Sequence, residues 1–270
     1  MSSFSLESPL YWVGSKRWQI DTIRPLWAPF RDAVRWVEPF CGGISMALGL
    51  APSYALLNDA NPYLINFYGW LQSGWTYDPH DWVEDTKSNY LRIRDTFNTA
   101  QSHDTLEDAK RFYWLNRMCY RGLYRTSSRG TFNTPYGYRA SGTVPLPNST
   151  AYQHQFESWT FTCGSYQHIE RRDTDFLYVD PPYDTEFNHY VADGFTWDDQ
   201  VAVAEWCAAH PGPVVLCNQA TPRIVELYTR LGFTIIPLTR PERMRRYGAQ
   251  GVAHEVMALR NLTHCPNTLF

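Results

Sequence analysis

Strand and helix patterns alternate at both ends of this chain and stop in between, and that interrupted alternation limits the possible folds more than any bulk property does. Val34-Arg35-Trp36-Val37 predicts a short strand, after which Gly42-Gly43 opens a helical segment through Ile44, Met46, Ala47 and Leu48. Tyr54-Ala55-Leu56-Leu57 predicts a second strand, ending at Asn58-Asp59 and followed by the helical spacing of Leu64, Ile65, Tyr68 and Leu71. Alternation resumes with the strand Phe176-Leu177-Tyr178-Val179, a helix over 197–209, a strand over 214–217, a helix over 222–231 and strands over 234–237 and 256–259. The intervening segment is more polar, helical over 90–97 and 106–118 and then hairpin-like, with Ser127-Ser128-Arg129-Gly130 as the turn. The economical reading is one α/β core formed by residues 1–74 and 161–270, interrupted by an inserted module over 75–160.

Charge is distributed unevenly over that plan. The chain carries 24 basic and 27 acidic residues, a net charge of −3. Residues 110–139 nevertheless hold Lys110, Arg111, Arg117, Arg121, Arg125, Arg129 and Arg139 with no acid among them. A strip of +7 in an otherwise acidic protein is the expected footprint of a polyanion. Tyr113, Trp114, Tyr120, Tyr124 and Tyr136 are interleaved with the arginines, which suits contact with phosphates and bases together. The plainer alternative is a solvated arginine face over an aromatic core. An apolar content of 44% over 270 residues argues against disorder. No apolar run reaches the ~18 residues of a membrane span, and no signal peptide pattern is present, so a cytoplasmic protein without membrane association is expected. Cys41, Cys119, Cys163, Cys207, Cys217 and Cys265 are scattered without a Cys-x-x-Cys pair, and buried thiols are expected rather than disulfides or a metal centre.

Three constellations carry chemistry. Glu38-Pro39-Phe40-Cys41-Gly42-Gly43 lies between a strand and a helix, where glycines let backbone approach a ligand. Asp59 ends the next strand, the placement of a carboxylate that grips ribose hydroxyls, although a structural turn with a capping acid has the same pattern. Asp180-Pro181-Pro182-Tyr183 follows an apolar strand whose carboxyl end would face a ligand crevice. Two prolines stop the strand and leave the Pro181 carbonyl available as an acceptor beside the Asp180 carboxylate. Two acceptors and the flat ring of Tyr183 are what the exocyclic amino group of a nucleobase requires. Leu10-Tyr11-Trp12-Val13-Gly14-Ser15-Lys16 is not a Walker A loop, and Lys16 could serve a carboxylate, a phosphate or only the surface.

Together these blocks resemble the Dam-like, α-group family of adenine-N6 DNA methyltransferases. The likeness covers nearly the whole chain: Trp12-x-Gly14-x-Lys16, Glu38-Pro39-Phe40, Asn58-Asp59-x-Asn61, Leu115-Asn116-Arg117, Gly122-Leu123-Tyr124-Arg125, Arg129-Gly130-x-Phe132-Asn133, Pro135-Tyr136-Gly137, Asp180-Pro181-Pro182-Tyr183, the 190–195 loop and Asn218. The resemblance implies a Rossmann-like core binding S-adenosylmethionine and an inserted helical and β-hairpin module that recognises double-stranded DNA. It implies a cofactor site of Tyr11, Trp12, Lys16, Glu38, Phe40, Gly42, Gly43, Asp59, Ser165, Tyr166 and Asp180. The target adenine would flip out and stack on Tyr183, while Asp180 and the Pro181 carbonyl orient its N6, with Pro182 completing the turn and no metal needed. DNA contacts would come from Arg117, Arg121, Leu123, Arg125, Arg129, Asn133, Pro135, Tyr136 and Arg139. Arg125 is the foremost candidate for reading a base edge, and Arg117 and Arg129 for gripping phosphates or bracing the fold.

The sequence departs from the family pattern. Ile44 stands where glycine is common, which bears on how the helix start packs, with S-adenosylmethionine binding expected to survive; Arg121 stands where the best-known members have Asn and Tyr138-Arg139 is in reversed order, and both bear on what is read. GATC is therefore one candidate target. A monomer is expected, and a cognate restriction endonuclease is a partner that the sequence leaves open. Two other readings compete: N4-cytosine methylation, which more often carries Ser at the Asp180 position, and a catalytically silent DNA-binding protein.

Overall fold

The computed structural model describes residues 6–76, 83–100, 102–137, 149–184, 194–242 and 251–262. Its centre is a seven-stranded sheet of β1 (Trp36–Glu38), β2 (Ala55–Asp59), β3 (Trp159–Cys163), β4 (Phe176–Val179), β5 (Val214–Gln219), β6 (Thr234–Glu242) and β7 (Gly251–Arg260) in the order 3-2-1-4-5-7-6. The first five strands are parallel, and β7 is inserted antiparallel to both β5 and β6. Strand order reverses between β1 and β4, which opens a crevice beyond their carboxyl ends. Glu38, Asp59 and Asp180 stand at three neighbouring strand ends on that edge. The expected α/β, Rossmann-like core is thus present.

Burial explains the strands: β1 and β4 are buried at every position, as interior parallel strands covered on both faces must be. Around the sheet lie α1 (Ile20–Trp27), α2 (Ser45–Leu50), α3 (Pro62–Gln72), α7 (Trp197–Ala208) and α8 (Pro222–Arg230), while α4 (Lys87–Thr99), α5 (Leu106–Met118) and α6 (Ser149–Phe156) come from the middle segment. Helix starts follow their caps. Asn61 accepts from the Tyr63 and Leu64 amides, with Pro62 opening α3. Thr105 and Asp108 form a capping box on α5, and Thr196 and Asp199 form one on α7. Three elements, α1, α6 and β3, were not expected from the periodicity. Each is short, and β3 is an edge strand of mixed burial, so its pattern is weak.

The middle helices share their core with the sheet domain. Phe67 on α3 stacks on Tyr113 of α5 at 5.5 Å between centroids, and Phe112, Tyr113 and Trp114 join Trp36 and Phe176 in one continuous cluster. Beyond α5, bridges pair Thr126 with Phe132 and Cys119 with Tyr136 around the turn that begins at Ser127. Among the described residues no helix is long and apolar enough to cross a membrane. Cys41, Cys119, Cys207 and Cys217 are buried free thiols, but Cys163 is exposed, contrary to expectation, because it ends the edge strand β3. Cys265 lies outside the described residues.

Candidate active site

A cavity of about 810 Å³ occupies the crevice at the β1/β4 switch point. Trp12, Lys16, Glu38, Phe40, Gly42, Gly43, Asp59, Ser165, Tyr166 and the whole Asp180–Tyr183 turn line it. Chain segments more than 100 residues apart thus meet at one place because all but the N-terminal segment of Trp12 and Lys16 end or follow a strand on the same sheet edge.

Its floor is the loop after β1. The Gly42 amide donates to Asp59 Oδ2 at 3.0 Å and the Asn61 amide to Oδ1 at 2.9 Å, so Asp59 first of all fastens this turn. Asn58 donates to the carbonyls of Pro39 and Gly164, both at 3.0 Å, and ties the floor to the segment containing Ser165. Gly42 has φ +44°, and a Cβ there would lie 2.7 Å from Trp12 Nε1; one on Gly43 would lie 2.7 Å from Trp12 Cβ. The glycines therefore make room for the Trp12 indole, and only through it for a ligand. Next to them the helix starts on Ile44 in the left-handed region, φ 48° and fully buried, a conformation that strains a β-branched residue. The turn keeps the geometry glycine would favour, with an isoleucine side chain packed into the core.

The electrostatics are acidic. Burial pushes Glu38 up to about 8, opposed by the Trp36 indole N–H, which donates to it at 2.7 Å. Burial raises Asp59 as well, against the Asn61 and Gly42 amides that favour its ionised form. Asp180 is raised by burial and lowered by the Lys16 ammonium, 3.1 Å from its Oδ1. Lys16, itself only 6% exposed, also lies 4.3 Å from the centroid of the Tyr183 ring. With Asp199, the lining holds four carboxyl groups and one ammonium. Even with Glu38 protonated, such a cavity favours a positively charged ligand and disfavours a phosphate. Phe40, 5.3 Å from Tyr166 and 5.9 Å from Phe195, adds the aromatic wall that a flat ring would stack on.

The Asp-Pro-Pro-Tyr turn is braced from behind. Gln200 Nε2 donates to the Pro182 carbonyl at 2.7 Å, Asn218 accepts from the Asp184 amide at 3.0 Å, and Arg223 pairs with both carboxylate oxygens of Asp184. Among the described residues the Pro181 carbonyl accepts no hydrogen bond.

Tyr11 is the exception among the expected cofactor residues: it is outside the cavity lining. The Arg117 guanidinium lies 3.6 Å from its ring centroid and donates to its hydroxyl at 2.8 Å, while Asn116 holds its backbone amide and carbonyl at 2.9 and 2.7 Å. The clamp turns the side chain away from the crevice.

The arginine strip is not one face. Lys110 pairs with Glu107, Arg111 with Asp108, and Arg117 is buried against Tyr11, which makes it a brace and removes it from the exposed contact surface. Leu123 and Tyr136 also pack inward, Leu123 into a small apolar pocket and Tyr136 with its hydroxyl 2.8 Å from Asp85. Arg121, Arg125, Arg129 and Pro135 are exposed. Asn133 takes the Arg125 Nε at 2.7 Å on its side chain and Nη2 at 3.1 Å on its carbonyl, which aims the guanidinium and leaves its other N–H groups open. Arg121 has φ +57° and lies over the Tyr120 ring at 5.2 Å. Arg139 and residues 190–193 lie outside the described residues. Sequence reasoning missed Glu255, Gln200 and Tyr178. Of these, Glu255 had a weak signal, an acid directly before the apolar run Val256–Leu259.

Comparison with known proteins places this geometry. A family model described as D12 class N6 adenine-specific DNA methyltransferase matches residues 12–244. A DNA adenine methylase of Vibrio cholerae serotype O1 is 31% identical over 268 residues, covering 93% of this chain and 94% of the relative. A DNA N-6-adenine-methyltransferase of Escherichia phage P1 is 31% identical over 264 residues, 92% of this chain, but the chain spans only about a third (34%) of that longer protein. A type II methyltransferase of Lactococcus lactis subsp. cremoris is 30% identical over 85% of this chain and 87% of its own.

Proposed function

The chain belongs to the D12 class of N6 adenine-specific DNA methyltransferases, and from that premise we propose that it moves a methyl group from S-adenosylmethionine to N6 of an adenine flipped out of double-stranded DNA. The observation that carries this reading is the meeting of a carboxylate, an open carbonyl and a ring, Asp180, Pro181 and Tyr183, on the wall of the acidic cavity. S-adenosylmethionine supplies a methyl group on a sulfonium centre. Its net positive charge, hydroxyls and adenine ring fit the carboxyl groups, Asp59, and the Phe40 and Tyr166 wall in turn. Trp12, Phe40, the Gly42-Gly43 turn, Asp59, Ser165 and Tyr166 are the residues that would hold it.

The chain's own groups act on the target base. The Asp180 carboxylate and the Pro181 carbonyl each accept a hydrogen bond from one N–H of the 6-amino group, which draws the nitrogen lone pair out of the ring and fixes its direction. Tyr183 gives the base a stacking plane that replaces its neighbours in the duplex. Lys16 favours the ionised form of Asp180 against the pull of burial, and the Pro182–Gln200 and Asp184–Asn218 contacts brace the turn. Residues 75–160 would supply target recognition, with Arg125 as the base reader and Arg121 and Arg129 on the backbone.

Expression in a methylation-free bacterial host, followed by single-molecule sequencing of the DNA, tests the proposal. N6-methyladenine at one short motif is the expected result, with GATC the first candidate. N4-methylcytosine, or unmodified DNA beside soluble protein, would overturn it.

A further inference from the structure

We propose that Glu255 is a positioning residue for the transfer: it anchors the Tyr183 hydroxyl and so sets the plane on which the target base stacks. The inference rests on the reading above, in which Tyr183 is the stacking surface. Glu255 lies on β7, opposite Gln219 of β5 and Leu238 of β6, and is 2% exposed. Its Oε2 accepts from the Tyr183 hydroxyl at 2.9 Å, across 72 positions of sequence. Val256, Met257 and Ala258 follow it as buried apolar residues. An acid there is costly to bury unless it is partnered, so an apolar residue would serve the strand alone better. What the carboxylate gains in return is the ring.

A tyrosine ring turns about two bonds, and the second has only a broad preference. Here the ring is held at three points. Its backbone sits in the turn braced by Gln200, Lys16 Nζ lies over it at 4.3 Å, and Glu255 fixes the far end. Because the same ammonium is 3.1 Å from Asp180, the stacking plane and the acceptor of the amino group are registered to each other. An error of about 1 Å in that register is enough to cost a rate roughly 100-fold.

Glu255→Ala, Glu255→Gln, Tyr183→Phe and the Glu255→Ala/Tyr183→Phe double variant would be compared in single-turnover methylation of a duplex carrying the mapped motif. DNA affinity and the fluorescence of 2-aminopurine at the target position are read alongside. Glu255→Ala should slow the chemical step about 10- to 100-fold with DNA affinity within about threefold, and should change the 2-aminopurine signal. Glu255→Gln keeps an oxygen acceptor and should recover the rate to within about threefold. Tyr183→Phe should reproduce the loss, and the double variant should be no slower than the worse single one. Parent-like rates in Glu255→Ala, losses that add in the double variant, or no recovery with Gln would each overturn the role of Glu255 while the parent still methylates adenine. A parent that methylates no adenine would instead remove the underlying reading, and this inference with it.

Discussion

Asp180 shows how burial and neighbouring charges together tune one side chain. Burial favours its neutral form, Lys16 at 3.1 Å favours the carboxylate, and the charge of Glu255 works against it. Replacing it by Ala should lower turnover on the order of 10²- to 10³-fold, with DNA affinity in a gel-shift titration within a few-fold of the parent. Comparable turnover numbers for the two proteins would refute its role. Arg125 depends on a partner in the same way, since Asn133 takes two of its N–H groups. Arg125→Ala should cost about 1 to 3 kcal/mol of discrimination at one base pair, and Asn133→Ala should relax the same position. The check is methylation of duplexes substituted one base pair at a time; loss spread evenly over all positions would make Arg125 a phosphate contact. Glu38 titrates at about 8 in the folded protein against 4.5 in its unperturbed state. The folded chain therefore binds an extra proton between those values, and this stabilisation is fully present below about pH 4.5 and lost as pH rises through about 8. Glu38→Gln keeps the neutral form, so denaturant titrations should show the variant gaining on the parent by about 1 kcal/mol or more between pH 5 and pH 8.5. A difference independent of pH would mean that Glu38 titrates normally.

At the scale of elements, the N-terminal segment joins the acidic cavity to α5 and the residues that follow it. Asn116 of α5 holds Tyr11 on both backbone sides, and the Trp12 indole stacks with Tyr124 at 6.2 Å while covering the Gly42-Gly43 turn. Gly122 stands against this segment with φ +68°, and a Cβ there would fall 2.4 Å from Tyr11 Cβ. Gly122→Ala should push the segment away and, through Trp12, weaken S-adenosylmethionine binding measured by calorimetry in the absence of DNA. Unchanged affinity would show that the two regions are mechanically separate. This is also where sequence reading reached its limit. Element type was legible for the long, strongly patterned stretches: α5 was expected over its observed span, and β4 likewise. The short α6 and the edge strand β3 were not, because each has too few periodic positions to stand out, and α1 was not, because Pro25 sits inside its otherwise helical pattern.

For the whole molecule, a negative net charge is compatible with the proposed DNA face because the fold separates the charges. Four acids gather in the cofactor crevice, while Arg121, Arg125 and Arg129 stand exposed on the module beside it. DNA affinity should fall steeply with salt, and Arg129→Ala should reduce the slope of log affinity against log salt by about 1 without changing the motif methylated. An unaltered slope would remove Arg129 from the interface.

Residue type and order along the chain determined by themselves the alternating core, the Asp180-Pro181-Pro182-Tyr183 turn after β4 and the family, because those depend on local pattern and on blocks that keep their order. Only the tertiary structure decided that Tyr11 turns away from the cavity, that Arg117 is a brace rather than a contact, and that Glu255 reaches Tyr183. Each of those is settled by which distant residue lies within about 3 Å, and hydrogen bonds and ion pairs decay too steeply with distance and angle for spacing along a chain to reveal them.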